Sequence, residues 1–83
     1  MPPHAIHAEM LFRRGEEAYE AARFQEAIDR WMQTRTVYLG LGLKIEAAHC
    51  DGNIGNALSA LGQAGRAIEH YERAQAVYVR VGS

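Results

Sequence analysis

Laid over itself with an offset of 40 residues, the chain matches at Ala8 and Ala48, Gly15 and Gly55, Ala27-Ile28 and Ala67-Ile68, Val37-Tyr38 and Val77-Tyr78, and Gly42 and Gly82. Conservative pairs lie between these: Asp29 with Glu69, Trp31 with Tyr71, Leu39 with Val79. The matches fall on small and aromatic positions, where helix packing restricts the choice of residue. Positions such as Arg30 and His70 differ freely. Self-similarity of this kind marks two copies of one structural unit, neither able to bury its apolar face alone.

Within each unit the apolar residues recur at three- and four-residue spacing, the signature of amphipathic helices. Ala8, Leu11, Phe12, Gly15, Ala18, Tyr19 and Ala22 form one stripe, and Phe24, Ala27, Ile28, Trp31, Thr34 and Tyr38 the next. Ala47, Ala48, Ile54, Gly55, Leu58, Leu61 and Gly62 form a third, and Ala64, Ala67, Ile68, Tyr71, Ala74 and Tyr78 a fourth. The reading is one all-α domain over residues 1–83, with helices near 5–21, 24–40, 43–61 and 64–81 and repeats of about 5–41 and 43–82. Pro2 and Pro3 precede the first helix, where proline is tolerated. Gly62 suits the left-handed position after a helix, and Gly40-Leu41-Gly42 separates the two units. Ala22-Arg23 carries no glycine, and a left-handed alanine costs roughly 1 kcal/mol. A tighter or blurred turn is expected there.

Several functional classes are disfavoured. Nine Lys and Arg against ten Asp and Glu leave a net charge of -1, which does not suit a nucleic-acid binder. Arg66, Arg73 and Arg80 align on the last helix but are interleaved with Glu69 and Glu72. The single cysteine, Cys50, permits no internal disulfide and fits a reducing, cytoplasmic setting. No apolar run approaches ~18 residues, so no membrane span is expected, and Met1-Pro2-Pro3-His4 does not open like a signal peptide. No cofactor or metal is expected. His49, Cys50 and Asp51 are adjacent and so fan about 100° apart on a helix, while His4 and His7 lie in a terminus expected to fray. Cys50 reads as a small packing residue. No serine, histidine and carboxylate group together as a nucleophile would need, so the chain reads as non-enzymatic. Glu16, Glu17 and Glu20 read as a solvated face pairing locally with Arg13, Arg14 and Arg23. Gly52-x-x-Gly55 follows no strand and lacks the Lys-Ser/Thr of a phosphate loop.

The spacing of these residues resembles the tetratricopeptide repeat (TPR) family, in a variety longer than the common ~34 residues. In the second unit Ile54-Gly55, Leu58 and Ala67-x-x-x-Tyr71 fill the family's Leu-Gly, large-residue and Ala-aromatic slots. In the first, Gly15, Ala27 and Trp31 are in place, but Arg14 replaces the usual Leu. The closing proline is absent, with Leu39 and Val79 in its slot. The resemblance implies two helix-turn-helix units, four antiparallel helices in a short right-handed solenoid. It also implies that small Gly15, Gly55, Ala27 and Ala67 let helices approach while Trp31 and Tyr71 fill the space beside them.

The resemblance further implies a groove for a protein or peptide partner on the first helix of each unit. Glu9, Phe12, Glu16, Tyr19 and Glu20 occupy the groove positions of the first unit, and His49, Gly52, Asn53, Asn56, Ser59 and Ala60 those of the second. An acidic, aromatic half beside an amide-rich half suits a ligand with Arg or Lys at one end, its backbone held by Asn53 and Asn56. Phe12 and Glu16 stand where a carboxylate clamp would need Lys and Asn, and glutamate repels a carboxylate. A second expectation concerns the last helix, which has no successor to cover it. Val77, Tyr78 and Val81 make it a candidate for self-association into a homo-oligomer, or for stacking within a longer array.

Overall fold

Helix ends in this chain are set by a turn that recurs every 20 residues. The computed structural model describes residues 3–82. They form α1 (Pro3–Glu20), α2 (Phe24–Gly40), α3 (Lys44–Ala60) and α4 (Ala64–Gly82), with no strand among them. The expected bounds hold to within two residues, and His4 and His7 lie inside α1 rather than in a frayed end.

After each of the first three helices one residue turns left-handed: Ala22 at φ 61°, Gly42 at 74°, Gly62 at 79°. The amides of Arg23, Leu43 and Gln63 then donate back to the carbonyls of Ala18, Tyr38 and Leu58 at 2.8, 2.9 and 2.9 Å. Those of Ala22, Gly42 and Gly62 donate to Tyr19, Leu39 and Ser59 at 2.9, 3.1 and 2.9 Å. This is the paired closure that satisfies the last carbonyls of a helix. Arg23, Leu43 and Gln63 at once begin the next helix, accepting from the amides of Ala27, Ala47 and Ala67. The turn at Ala22 is therefore neither tighter nor blurred. Two backbone bonds hold the alanine where glycine would be at ease. Arg23 also pairs forward with Glu26 at 3.2 Å, not backward with the glutamates of α1.

Turns this short make neighbouring helices antiparallel, and each helix packs on the next: α1 on α2, α2 on α3, α3 on α4. The result is two layers, α1 and α3 over α2 and α4, in a slab of 34 × 30 × 15 Å. The core draws mostly on the predicted stripes, adds Ala57 and Cys50, which they lacked, and leaves their Tyr19, Ala22 and Leu61 exposed. Ala18, Ala27, Ile28, Trp31, Ile54, Ala57, Leu58 and Ala67 form one cluster, and Ala8, Tyr38, Ala47 and Cys50 a second. Buried Thr34 satisfies its hydroxyl by donating to the Arg30 carbonyl at 2.7 Å. The fourth stripe departs from expectation. α4 buries Ala67, His70 and Ala74, while Ile68, Tyr71 and Tyr78 turn outward.

The glycine and aromatic pairs account for the closeness of each hairpin. A Cβ on Gly15 would stand 2.4 Å from the indole Nε1 of Trp31, and one on Gly55 2.5 Å from the ring of Tyr71. Each aromatic lies on bare backbone. Trp31 also donates through Nε1 to the Phe12 carbonyl at 3.2 Å.

Two predictions follow from this geometry. Ala22→Gly relieves the left-handed strain, and denaturant unfolding should show a gain of about 0.5–1 kcal/mol. Gly15→Ala and Gly55→Ala should each lose about 1–3 kcal/mol through overpacking. The loss should be greater for Gly15, because buried Trp31 has less room to shift than half-exposed Tyr71.

Candidate functional site

The side chains that α1 and α3 raise on their shared face surround two adjoining hollows. The first, about 140 Å³, is lined by Glu16, Tyr19 and Glu20 from α1 and Asn53 and Asn56 from α3, with Trp31 of α2 as its floor. The second, about 150 Å³, is lined by Phe12, Glu46 and His49 over Tyr38. On the wall of the second, the rings of Phe12 and His49 meet edge to face, centroids 5.4 Å apart. The structure thus brings together seven of the expected groove residues, Phe12, Glu16, Tyr19, Glu20, His49, Asn53 and Asn56. Ser59 is exposed on the last turn of α3 and lines neither hollow. Trp31, Tyr38 and Glu46 were not expected here. The first two come from the stripe read as core, because a core residue of the second layer is also the floor of a groove in the first.

The walls are held in place. Tyr19 leans on Phe24 (5.3 Å between centroids) and on Trp31 (5.8 Å), so its ring is fixed at the hollow's edge. The Tyr71 hydroxyl donates to Asn56 Oδ1 at 2.6 Å, which orients that amide and leaves its NH₂ free to donate. Asn53, half-buried, spends neither amide atom in a hydrogen bond among the described residues. Burial raises the Tyr38 phenol above its ordinary pKa of 10.0, with Cys50, Glu9 and Glu46 adding to the rise, so the hydroxyl stays a donor at neutral pH. The charges lining the two hollows are Glu16, Glu20 and Glu46, and neither hollow is lined by Lys or Arg. Acidity is therefore not confined to the α1 half, as the sequence suggested.

The opposite face, between α2 and α4 over α3, differs in sign. Its hollow of about 330 Å³ is lined by Arg35, Lys44, Arg73 and Arg80 beside Leu39, Ala47, Ala48, Ala76 and Val77. Val77 is thus half-buried on this inner side and not on the outward face of α4, whereas Tyr78 and Val81 are exposed.

Beneath that hollow lies an ion cluster that the sequence pattern did not reveal. Asp51 of α3 is 3% exposed. Its Oδ2 accepts from Arg35 Nε of α2 at 2.9 Å, and its Oδ1 lies 2.8 Å from His70 Nδ1 of α4. An ionised carboxylate only accepts, so His70 carries its proton on Nδ1. The cluster ties three helices, and neither a hydroxyl nor a thiol joins it as a nucleophile would. Cys50 next to Asp51 is wholly buried, and desolvation pushes its thiol from 9.0 up to about 12. It is a packing residue with no accessible thiolate at neutral pH. Among the described residues, no three His, Cys, Asp or Glu side chains converge as metal ligands, and no helix is long and apolar enough to cross a membrane.

Comparison with family models, with curated proteins and with solved structures finds no match for this chain.

Removing Asp51 leaves the Arg35 guanidinium and the buried His70 ring without their acceptor. Asp51→Ala should cost about 3–5 kcal/mol in denaturant unfolding. Replacing Arg35 by Gln, which keeps a donor beside the carboxylate, should cost less than half of that.

Proposed function

We propose that this chain is a TPR-like repeat pair that binds a protein or peptide in the groove between α1 and α3, and that the bound segment presents a cationic side chain to it. One observation carries the reading: two adjoining hollows, floored by Trp31 and Tyr38, are lined by Glu16, Glu20 and Glu46 and by no cation of their own. A lining that carries carboxylates and no cation of its own favours a cationic ligand over an anionic one.

The chemistry follows from the lining. A guanidinium or ammonium in the first hollow meets Glu16 and Glu20 in charge-assisted hydrogen bonds and the face of Tyr19 in a cation–π contact. The amides of Asn53 and Asn56 donate to main-chain carbonyls of the ligand. An apolar side chain two or three positions along the ligand fits the second hollow, against Phe12 and over Tyr38. The activity is recognition, with no bond made or broken.

Trp31 and the rings around it provide the readout. A labelled nonapeptide of alanine and leucine with a central arginine should bind the full chain, and its glutamate counterpart should not. Affinity should fall as salt screens the carboxylates. Glu16→Gln should weaken binding roughly 10-fold. Glu16→Lys with Tyr19→Ala should abolish it while the circular dichroism stays helical. Equal affinity for the two peptides, or an unchanged affinity in the double variant, would show that the groove is not the site.

A further inference from the structure

Three helices each turn one stripe into the hollow of about 330 Å³ between α2 and α4. Arg73 and Arg80 of α4 flank Val77, Lys44 of α3 stands one turn before the buried Ala47 and Ala48, and Arg35 of α2 stands one turn before Leu39. Four of the nine Lys and Arg of a chain with net charge -1 therefore line one hollow, around an apolar floor. The repeat does not supply this charge. The positions 40 residues from Arg35, Lys44, Arg73 and Arg80 hold Gln75, His4, Gln33 and Gly40.

The one acid of the lining offsets one cation of the four. Asp51 has a side chain only 5% exposed, with Oδ2 on Arg35 and Oδ1 on His70. It takes Arg35 through Nε at 2.9 Å, so a buried anchor fixes the guanidinium, whose terminal NH₂ groups remain for a second acceptor. Lys44 and Arg73 are exposed and pair with no carboxylate among the described residues. The helix directions arrange the cations in two pairs. Arg73 follows His70, and so Asp51, by one turn, which puts it at the Arg35 end. Because α3 and α4 are antiparallel, Lys44 and Arg80 lie together at the other end, seven residues or about 10 Å away.

We propose that this hollow is a second docking surface, and that it takes an acidic segment of a partner protein with aspartate or glutamate on both sides of an aliphatic residue. The aliphatic side chain enters between Leu39 and Val77 over Ala47 and Ala48. The carboxylates on its two sides meet the two cation pairs. Charge complementarity sets the choice of partner: the faces of the slab differ in sign, and a cationic segment suited to Glu16 and Glu20 is repelled here. The proposal does not depend on the groove reading, since it uses none of the groove's carboxylates.

A labelled peptide, Gly-Glu-Glu-Leu-Leu-Glu-Glu-Gly, titrated into the full chain by anisotropy, should bind at least roughly 10-fold tighter than its glutamine counterpart. A peptide with one central glutamate reaches only one cation pair and should stay unbound. Lys44→Gln with Arg73→Gln should weaken binding roughly 10-fold, and because both side chains are exposed the melting temperature should move by less than about 2 °C. Leu39→Ser should weaken binding as well, which attraction between charges alone would not produce. Glu16→Gln should leave it unchanged, so that failure here and failure of the groove are read separately. The proposal is overturned if the acidic peptide does not bind, even where the chain binds vesicles of anionic lipid instead. It is overturned equally if the glutamine peptide binds as well, or if either the Lys44 and Arg73 double variant or Leu39→Ser keeps full affinity. A dimer of the 83-residue chain that the double variant converts to monomer would also overturn it, for then a second copy is the occupant.

Discussion

Gly15 and Gly55 lack the one atom that would collide with the rings of Trp31 and Tyr71, and the arrangement of the slab depends on that vacancy. The aromatic rings lie flat on helix backbone, so each hairpin closes at short range and the small residues Ala18, Ala27, Ala57 and Ala67 are drawn into the core. The same rings reach the surface on the far side of the contact. Trp31 becomes the floor of the first hollow, and its Nε1 is held by the Phe12 carbonyl. Tyr71 sends its hydroxyl to Asn56, which lines that hollow. Packing and candidate site are thus built from one set of residues, and a substitution that loosens the hairpin also moves the groove wall.

Register between the helices comes from two further devices. The left-handed residue at 22, 42 and 62 closes each helix with a pair of backbone bonds and leaves no loop that could lengthen or slip. The Asp51 cluster then locks α2, α3 and α4 side by side. Such a buried cluster is weak evidence for net stability, because desolvating three polar groups offsets much of the attraction between them. Its geometry is nonetheless demanding. Arg35 and His70 must each arrive within hydrogen-bonding distance of one carboxylate, so alternative stackings of the hairpins would leave charge unpaired. In the first repeat the position of Asp51 is held by Leu11 and that of His70 by Arg30, so the cluster belongs to the second repeat alone.

The sequence made the helices legible because a period of three to four is written in their apolar residues and punctuated by Gly42 and Gly62. Seven residues assigned by position on α1 and α3 line the two hollows, whereas Glu9, Gly52, Ser59 and Ala60 line neither. Four features escaped it, each for a physical reason. Ala22 broke the rule that a left-handed turn wants glycine, because two backbone bonds close the helix end around it. His70 read as a solvent residue since its partner lies 19 positions away on another helix, and a single sequence records no such pairing. Val77 read as outward with Tyr78, although adjacent helix positions point about 100° apart and only one of the two can face away. Glu46 was overlooked because the acidity of the groove was judged from α1 alone.

The two ends of the slab are chemically unlike. At the α1 end His7, Arg14 and Glu17 are exposed beside the apolar Ile6 and Met10; at the α4 end Ile68, Tyr71 and Tyr78 are exposed. Tyr71 belongs both to the α4 end and to the groove: its ring stands on Gly55 and half faces outward, while its hydroxyl orients Asn56 at the edge of the groove. The outer face of α4 therefore includes the residue that positions a donor in the groove, and the two surfaces are joined by a contact two side chains long.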